Sequence, residues 1–319
     1  MRVVSLLPSA TETLDLVGGS GMLVGRSHEC DHPASILDRP VLTAPATAPG
    51  PPARIDAEVR LAVEQGRSLY RLDADRLADL RPDVILTQDL CSVCSIDLGA
   101  VRSAAARLDP TPKIVSLNPT TIEGVFDDVL TVGAAVGLES SAETAVVHLR
   151  ERFYRTAECV PAFDEGPSVA FLEWTDPLFV GGHWTPQLVE RAGGRHPLNP
   201  TEPIAGLGSG LAAQQDQRTA GPSRRITPDE LIESRPEAVV VCPCGVGLDQ
   251  GRIAASTLAG EPWWPDLPAV RAGRVALVDG NQMFNRPGPR LVEAFGWLTG
   301  WLNDRPGLIP PGFPWEPMP

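Results

Sequence analysis

A two-lobed α/β fold, with a parallel sheet in each lobe, is the architecture that this 319-residue sequence predicts. Three observations carry it. Short apolar runs alternate with amphipathic segments, the pattern of parallel sheets covered by helices. One helix–turn–strand phrase occurs twice, and a proline-free stretch from Thr120 to Glu158 separates the two occurrences.

Taken in order, Arg2–Leu7 is a β-branched and leucine run ending at Pro8, and Ser9-Ala10-Thr11-Glu12 offers a hydroxyl cap and an early acid for a first helix. Met22–Val24 reads as another strand-like stretch, Ala44–Pro52 as an extended proline-rich segment and Ile55–Glu64 as a helix. Within Asp75–Thr87 the helix stops before Pro82, because a residue preceding proline is pushed out of the α region; Val84–Thr87 then reads as a buried strand. Asp229–Val241 repeats the phrase, with Arg235-Pro236-Glu237 in place of Arg81-Pro82-Asp83 and Val239–Val241 as its strand. We read this as one structural unit used once in each half.

Ile114–Leu117, Val169–Leu172 and Val275–Val278 complete the strands, with helices over Pro186–Ala192 and Pro289–Leu302. Val125, Val129, Val132 and Val136 recur at helical spacing, so a helical spine is expected to join the lobes, even with Gly133 or Gly137 inside it. The expected organisation is an N-terminal α/β lobe over 1–119, a linking backbone helix over 120–160 and a C-terminal lobe over 161–319. The last ends in a proline-rich tail that Phe313 and Trp315 predict to dock. Gly206–Arg225 is polar and glycine-rich and reads as a mobile loop.

Charge and composition exclude several function classes. Lys and Arg total 27 against 40 Asp and Glu, a net charge of −13, which repels phosphate backbones and anionic lipid. Nucleic acid is not an expected partner. No run of about 18 uncharged apolar residues occurs, so membrane insertion is not expected either. Met1–Pro8 lacks a basic region followed by an apolar run and a small-residue cleavage site, which predicts a cytoplasmic protein. There is no G-x-S-x-G elbow, phosphate loop or H-E-x-x-H helix, and Lys113 is the sole lysine; a binding role is therefore expected over catalysis.

In parallel sheets, ligands sit beyond the carboxyl ends of the strands. Val84–Thr87 runs directly into Gln88-Asp89-Leu90-Cys91-Ser92-Val93-Cys94, and Val239–Val241 into Cys242-Pro243-Cys244. If the lobes face each other, both thiol pairs approach one cleft, joined there by His28-Glu29-Cys30-Asp31-His32. In a reducing compartment close thiol pairs are poor disulfide candidates. Thiolates and imidazoles suit zinc, copper(I), cobalt or iron–sulfur units. Cys91, Cys94, Cys242 and Cys244 are thus candidate ligands of a zinc or iron–sulfur centre; equally, they read as small buried apolar residues. After Val169–Leu172 come Trp174, Asp176, His183 and Trp184, flat apolar faces with polar handles that suit a large planar ligand, or aromatics covering a sheet edge. Asn285, Arg286 and Arg290 lie near the start of the last helix, and either arginine reads as an anion holder or as a surface ion-pair partner.

Val4-Ser5-Leu6-Leu7-Pro8-Ser9-Ala10-Thr11-Glu12, Val24-Gly25-Arg26-Ser27, Leu80–Ile85 and Arg286-Pro287-Gly288-Pro289-Arg290 together resemble the helical-backbone (cluster A, class III) substrate-binding proteins of ABC importers, and most of all a cytosolic branch of the cobalamin-binding members. The resemblance implies two Rossmann-like lobes joined by one long rigid helix, with a corrinoid (cobalamin-like) or related metal-containing ligand held between them by His28, Glu29, Cys30, Gln88, Asp89, Trp174, Asp176, His183, Trp184, Asn285 and Arg286. Trp174 and Trp184 would pack on the macrocycle, and His183, His28 or a thiolate would approach its metal. Without an export signal or lipobox cysteine, an ABC permease is not expected as a partner.

Overall fold

The computed structural model describes residues 1–47, 50–65, 67–90, 96–161, 166–204 and 218–318. Two compact units divide the chain. The first comprises Met1–Gly50, Arg54–Pro119 and Gly124–Arg150; the second comprises Pro51–Ala53, Thr120–Glu123 and Glu151–Pro319.

The first unit opens with β1 (Val3–Ser5), α1 (Pro8–Leu16), β2 (Leu23–Arg26), β3 (Thr43–Pro45), α2 (Pro52–Glu64), β4 (Tyr70–Leu72) and α3 (Ala74–Leu80). It continues through β5 (Val84–Thr87), α4 (Leu98–Ala105), β6 (Lys113–Ser116), α5 (Ile122–Val136) and α6 (Glu139–Ala157), which runs on into the second unit. Its main sheet has the order β2-β1-β5-β6 and is parallel throughout. Strand residues alternate between faces: Val3, Val84, Leu86 and Val115 pack with α1 and the Val132–Val136 end of α5, while Val4 and Ile85 pack with Leu77 of α3 and Val101 of α4. Burial on both faces is what makes these strands read as continuous apolar runs. A separate antiparallel pair, β3 with β4, sets Thr43 opposite Leu72.

The second unit contains β7 (Val169–Thr175), β8 (Leu178–Val180), α7 (Trp184–Arg191), β9 (Glu202–Pro203), β10 (Arg218–Thr219), β11 (Arg224–Arg225), α8 (Pro228–Glu233) and β12 (Ala238–Val241). It ends with α9 (Leu248–Ala259), α10 (Pro268–Arg271), β13 (Val275–Val278), α11 (Leu291–Leu302) and β14 (Trp315–Pro317). The main sheet here is β11-β8-β7-β12-β13-β14, with β7, β12 and β13 parallel and β8, β11 and β14 antiparallel to their neighbours. The parallel expectation therefore holds at the centre, and antiparallel strands extend both edges. One of them is the tail: β14 pairs with β13, Phe313 stacks on Trp297 at 5.3 Å, and Arg252 forks onto the Glu316 carboxylate at 2.9–3.0 Å.

The repeated phrase is a repeated structure. Arg81 and Arg235 both take left-handed φ, 42° and 45°, ending α3 and α8 so that a proline and then a strand follow. The acid after each proline, Asp83 or Glu237, accepts a backbone N–H from the strand alongside, Arg2 N at 2.6 Å or Ser168 N at 2.8 Å. The carbonyls of Arg2 and Ser168 in turn accept the amides that open β5 and β12.

Other expectations are corrected in detail. Over 120–160 the structure has two helices, α5 and α6, in place of one spine: Gly137 at φ 73° ends α5, and Leu138 N bonds back to Gly133 O at 2.8 Å. The first helix starts at Pro8, whose fixed φ suits the first helical position, with Leu7 at the cap position and no side-chain cap, so Ser9 is inside the helix and not its cap. Between Gly206 and Arg225, residues 205–217 lie outside the described residues, while 218–219 and 224–225 form β10 and β11. Among the described residues no helix is long and apolar enough to cross a membrane.

Candidate functional site

In the first unit the carboxyl ends of β2, β1, β5 and β6 form one rim, and its polar groups are tied together. Arg26, last residue of β2, places its guanidinium on the carbonyls of Cys30 (2.9 Å), Leu37 (3.1 Å) and Ser27 (3.2 Å), fixing the loop that carries His28, Glu29 and Cys30. Thr43 Oγ1 is the node of that loop. It accepts His28 N–H at 3.0 Å, lies 2.7 Å from His28 Nδ1 and donates to Ser27 Oγ at 3.0 Å. The half-buried His28 ring is tilted against Tyr70 with centroids 5.7 Å apart, and Tyr70 donates its hydroxyl to Glu29 Oε1 at 3.2 Å. Burial pulls the His28 imidazole below its ordinary pKa.

Cys30 is separated from this group: it is fully buried and accepts the Thr11 hydroxyl at 3.0 Å. At the next strand ends, Gln88 is buried after β5, and the exposed Asp89 donates its N–H to Asn118 Oδ1 at 2.7 Å, tying β5 to β6. Cys91 and Cys94 lie outside the described residues.

The second unit's rim is built on β7, β12 and β13. A register shift between Leu172 and Trp174 turns the end of β7, where Trp174 Nε1 donates to Asp176 O at 3.0 Å and so holds the indole across the β7–β8 turn. Asp176 is exposed beside it. His183, at φ 53°, occupies the cap position of α7 without a capping side-chain bond; its half-buried ring lies on Trp184 with centroids 5.8 Å apart and its pKa is lowered by burial. Trp184 itself is 7% exposed and donates Nε1 to Phe284 O at 2.7 Å, so its ring is packed into the unit rather than offered to a macrocycle. Arg286 is likewise buried, at 6% exposure.

Asn285 locks the ends of β12 and β13 together, its amide donating to Gly280 O (2.8 Å), Cys242 O (3.2 Å) and Cys242 Sγ (3.5 Å). The Cys242 thiol is fully buried, and burial, with the Glu173 and Asp279 carboxylates, pushes its pKa well up. Cys244 is half-buried one turn on. Among the described residues no group of three or more His, Cys, Asp or Glu is placed to hold a metal ion. The expected four-thiolate centre thus finds no support in its described half, Cys242 and Cys244.

A hollow of about 550 Å³ also opens in this unit, between the start of α9 and the Asp279–Asn281 turn, and none of the residues expected from the sequence lines it. Thr43, Tyr70 and Asn118 are the rim residues that the sequence reading missed. Thr43 and Tyr70 reach His28 and Glu29 only through the β3–β4 pairing, which leaves no local signal; Asn118, next to a strand end, carried a weak one.

Comparison with known proteins places this geometry. A family model described as "Periplasmic binding protein" matches residues 3–281. A "Cobalamin-binding protein" of Halobacterium salinarum is 24% identical over 305 residues, covering 95% of this chain and 69% of its own. Two solved structures share the fold: a periplasmic heme-binding protein from Pseudomonas aeruginosa, with a TM-score of 0.67 at 21% identity over 94% of this chain and 92% of that one, and a periplasmic vitamin B12 binding protein of Vibrio cholerae, with a TM-score of 0.65 at 16% identity over 96% and 97%. These relatives are binding proteins, and non-catalytic binding of a small molecule is the role that goes with this chain. Its fold and the extent of the match agree that the chain belongs to the periplasmic binding protein family.

Proposed function

We propose that the chain binds a corrinoid, using the rim residues of its strand ends. The observation that carries this reading is the alignment of a protein named cobalamin-binding along 95% of the chain. The first unit's rim supports it: a half-buried imidazole at His28 against the Tyr70 ring, with an exposed carboxylate at Asp89. A large ligand with an apolar face and polar edges calls for such a mixture.

The proposal extends to a cytoplasmic protein, in keeping with the thiols of Cys159, Cys242 and Cys244, which form no disulfide among the described residues. Cell fractionation tests that placement separately from the ligand. For the ligand, purified protein is mixed with aquocobalamin and, in parallel, with hemin, and each mixture is resolved by gel filtration with absorbance read in the visible. Stoichiometric co-elution of the corrinoid is expected. Passage of all corrinoid in the small-molecule fraction, or retention of hemin alone, overturns the reading.

A further inference from the structure

We propose that the amino end of α1, with the side chains of Ser9 and Gln88, is a subsite that grips a peripheral carboxamide of the bound ligand and selects it over a carboxylate. This subsite deepens the corrinoid reading and rests on it.

The amino end of α1 holds polar groups without partners. The helix starts at Pro8 with no side-chain cap, and the backbone amides of Ser9 and Ala10 donate to none of the described residues, although these residues are only 3% and 0% exposed. Buried backbone N–H groups are nearly always paired, so two adjacent ones call for an acceptor from outside the chain. The Ser9 carbonyl accepts the Thr13 hydroxyl at 2.8 Å, whereas the Ser9 hydroxyl has no partner among the described residues. Neighbouring hydroxyls are engaged: Ser5 donates to Leu7 O at 3.0 Å, and Thr11 lies 2.8 Å from Ser5 Oγ and 3.0 Å from Cys30 Sγ.

Gln88 faces the same helix end. It is 8% exposed, and its amide bonds to none of the described residues. The parallel β1–β5 register pairs Val3 with Val84 and Ser5 with Leu86, and Leu6 N extends it onto Leu86 O at 2.9 Å. Continued two residues past Ser5, it sets Gln88 beside Leu7, the cap position of α1. Strand alternation puts Gln88 on the face of Leu86, which packs with Leu7 and with Ala10 and Leu14 of α1. Ser9 and Gln88 are thus more than nine-tenths buried at one helix end, with polar atoms that are not sealed from solvent.

The donors and acceptors decide the class of group. Two helix N–H groups and the Ser9 hydroxyl donate to an oxygen, and the Gln88 carbonyl accepts an N–H. A carboxamide completes that pattern; a carboxylate has no proton to give. The helix end favours an oxygen of negative character, but the surroundings oppose a full charge. Glu12 lies one turn into α1, Asp89 follows Gln88, and the Arg26 guanidinium is spent on the carbonyls of Ser27, Cys30 and Leu37. Corrinoids bear carboxamides around the macrocycle, where heme bears carboxylates.

The probes are cyanocobalamin and its monocarboxylates, in which mild acid has hydrolysed single peripheral carboxamides, with affinities read by equilibrium dialysis. The wild type is expected to bind at least one monocarboxylate about tenfold more weakly than the parent, the loss of a well-made hydrogen-bonded contact. Gln88→Met should weaken the parent about tenfold and leave that monocarboxylate unchanged, so the preference disappears; Ser9→Ala should weaken the parent by about threefold. Because neither side chain has an internal partner, both variants should melt no lower than the wild type by circular dichroism. Equal affinity of the wild type for the parent and every monocarboxylate, or a preference that survives Gln88→Met, assigns these groups to ordered water and overturns the subsite while the corrinoid reading stands. A Gln88→Met protein that melts lower has lost an internal bond, which overturns it as well. Retention of neither the parent nor any monocarboxylate by the wild type overturns both.

Discussion

Replacing Gly280 with alanine tests whether the second unit's rim is set by a backbone contact. A Cβ at this position would lie 1.8 Å from the carbonyl oxygen of Pro243, whereas ordinary contact begins at 3.4 Å. The obstructing atom is main chain, so no rotamer change relieves it and the ends of β12 and β13 must part by more than an ångström. Three hydrogen bonds cross that junction: Gly245 N to Gly280 O (2.9 Å), Gly280 N to Val246 O (2.9 Å) and Asn285 Nδ2 to Cys242 O (3.2 Å). At about 1 kcal/mol net apiece, losing two or three costs roughly 2–3 kcal/mol. Tryptophan fluorescence during urea unfolding is the suitable assay, because all seven tryptophans lie in the second unit. Gly280→Ala should lower the unfolding free energy by that amount, read as a lower urea midpoint at unchanged slope. Gly307→Ala, in the same unit, is the control: an added Cβ there meets nothing within 4 Å and the residue is not in the left-handed region. A Gly280→Ala protein within about 0.5 kcal/mol of the parent would refute the reasoning, since surface-like changes fall in that range.

Two further outcomes follow from buried titratable groups of the same unit. Burial pulls the His196 pKa from 6.5 to about 4, so between those values the unfolded chain holds the extra proton and stability falls as pH falls, by about 1.4 kcal/mol per pH unit and roughly 3 kcal/mol in all. Urea titrations at several pH values, read by tryptophan fluorescence, should show this slope in the parent and its absence in His196→Gln; equal slopes would contradict it. Cys242, fully buried with its pKa raised, should resist iodoacetamide at pH 8 in the native protein while the half-buried Cys244 is labelled, as peptide mapping would show; labelling of Cys242 first would count against the burial described.

What the sequence made legible was local in origin. The Arg-Pro-acid turn could be read twice because each constraint acts within three residues: proline excludes the α region before it, and the following acid sits where a neighbouring strand's N–H needs an acceptor. Parallel strands buried on both faces announce themselves as apolar runs. The antiparallel edges do not: β8 and β14 are three residues long, β11 only two, and their partners lie elsewhere in the chain. The same limit applies to the rim. Thr43 is 15 residues from His28, and Tyr70 is 41 from Glu29, so only the β3–β4 pairing reveals that a histidine named from its strand-end position is held by a threonine.

Cysteine spacing left two readings open for a related reason. In Cys242-Pro243-Cys244 two thiols stand two residues apart, a separation that within a continuing strand would put both on one face. The strand does not continue. β12 ends at Val241, and Cys244 N–H bonds across to Glu173 O at 2.9 Å, turning the chain toward β7. Cys242 is thereby left in the interior under Asn285 while Cys244 becomes half-exposed. The close pairing in sequence thus produces two thiols in different environments. The turn that separates them also brings Pro243 against Gly280 and holds the end of β12 to the end of β13, so these residues contribute to the site by shaping the backbone of the rim.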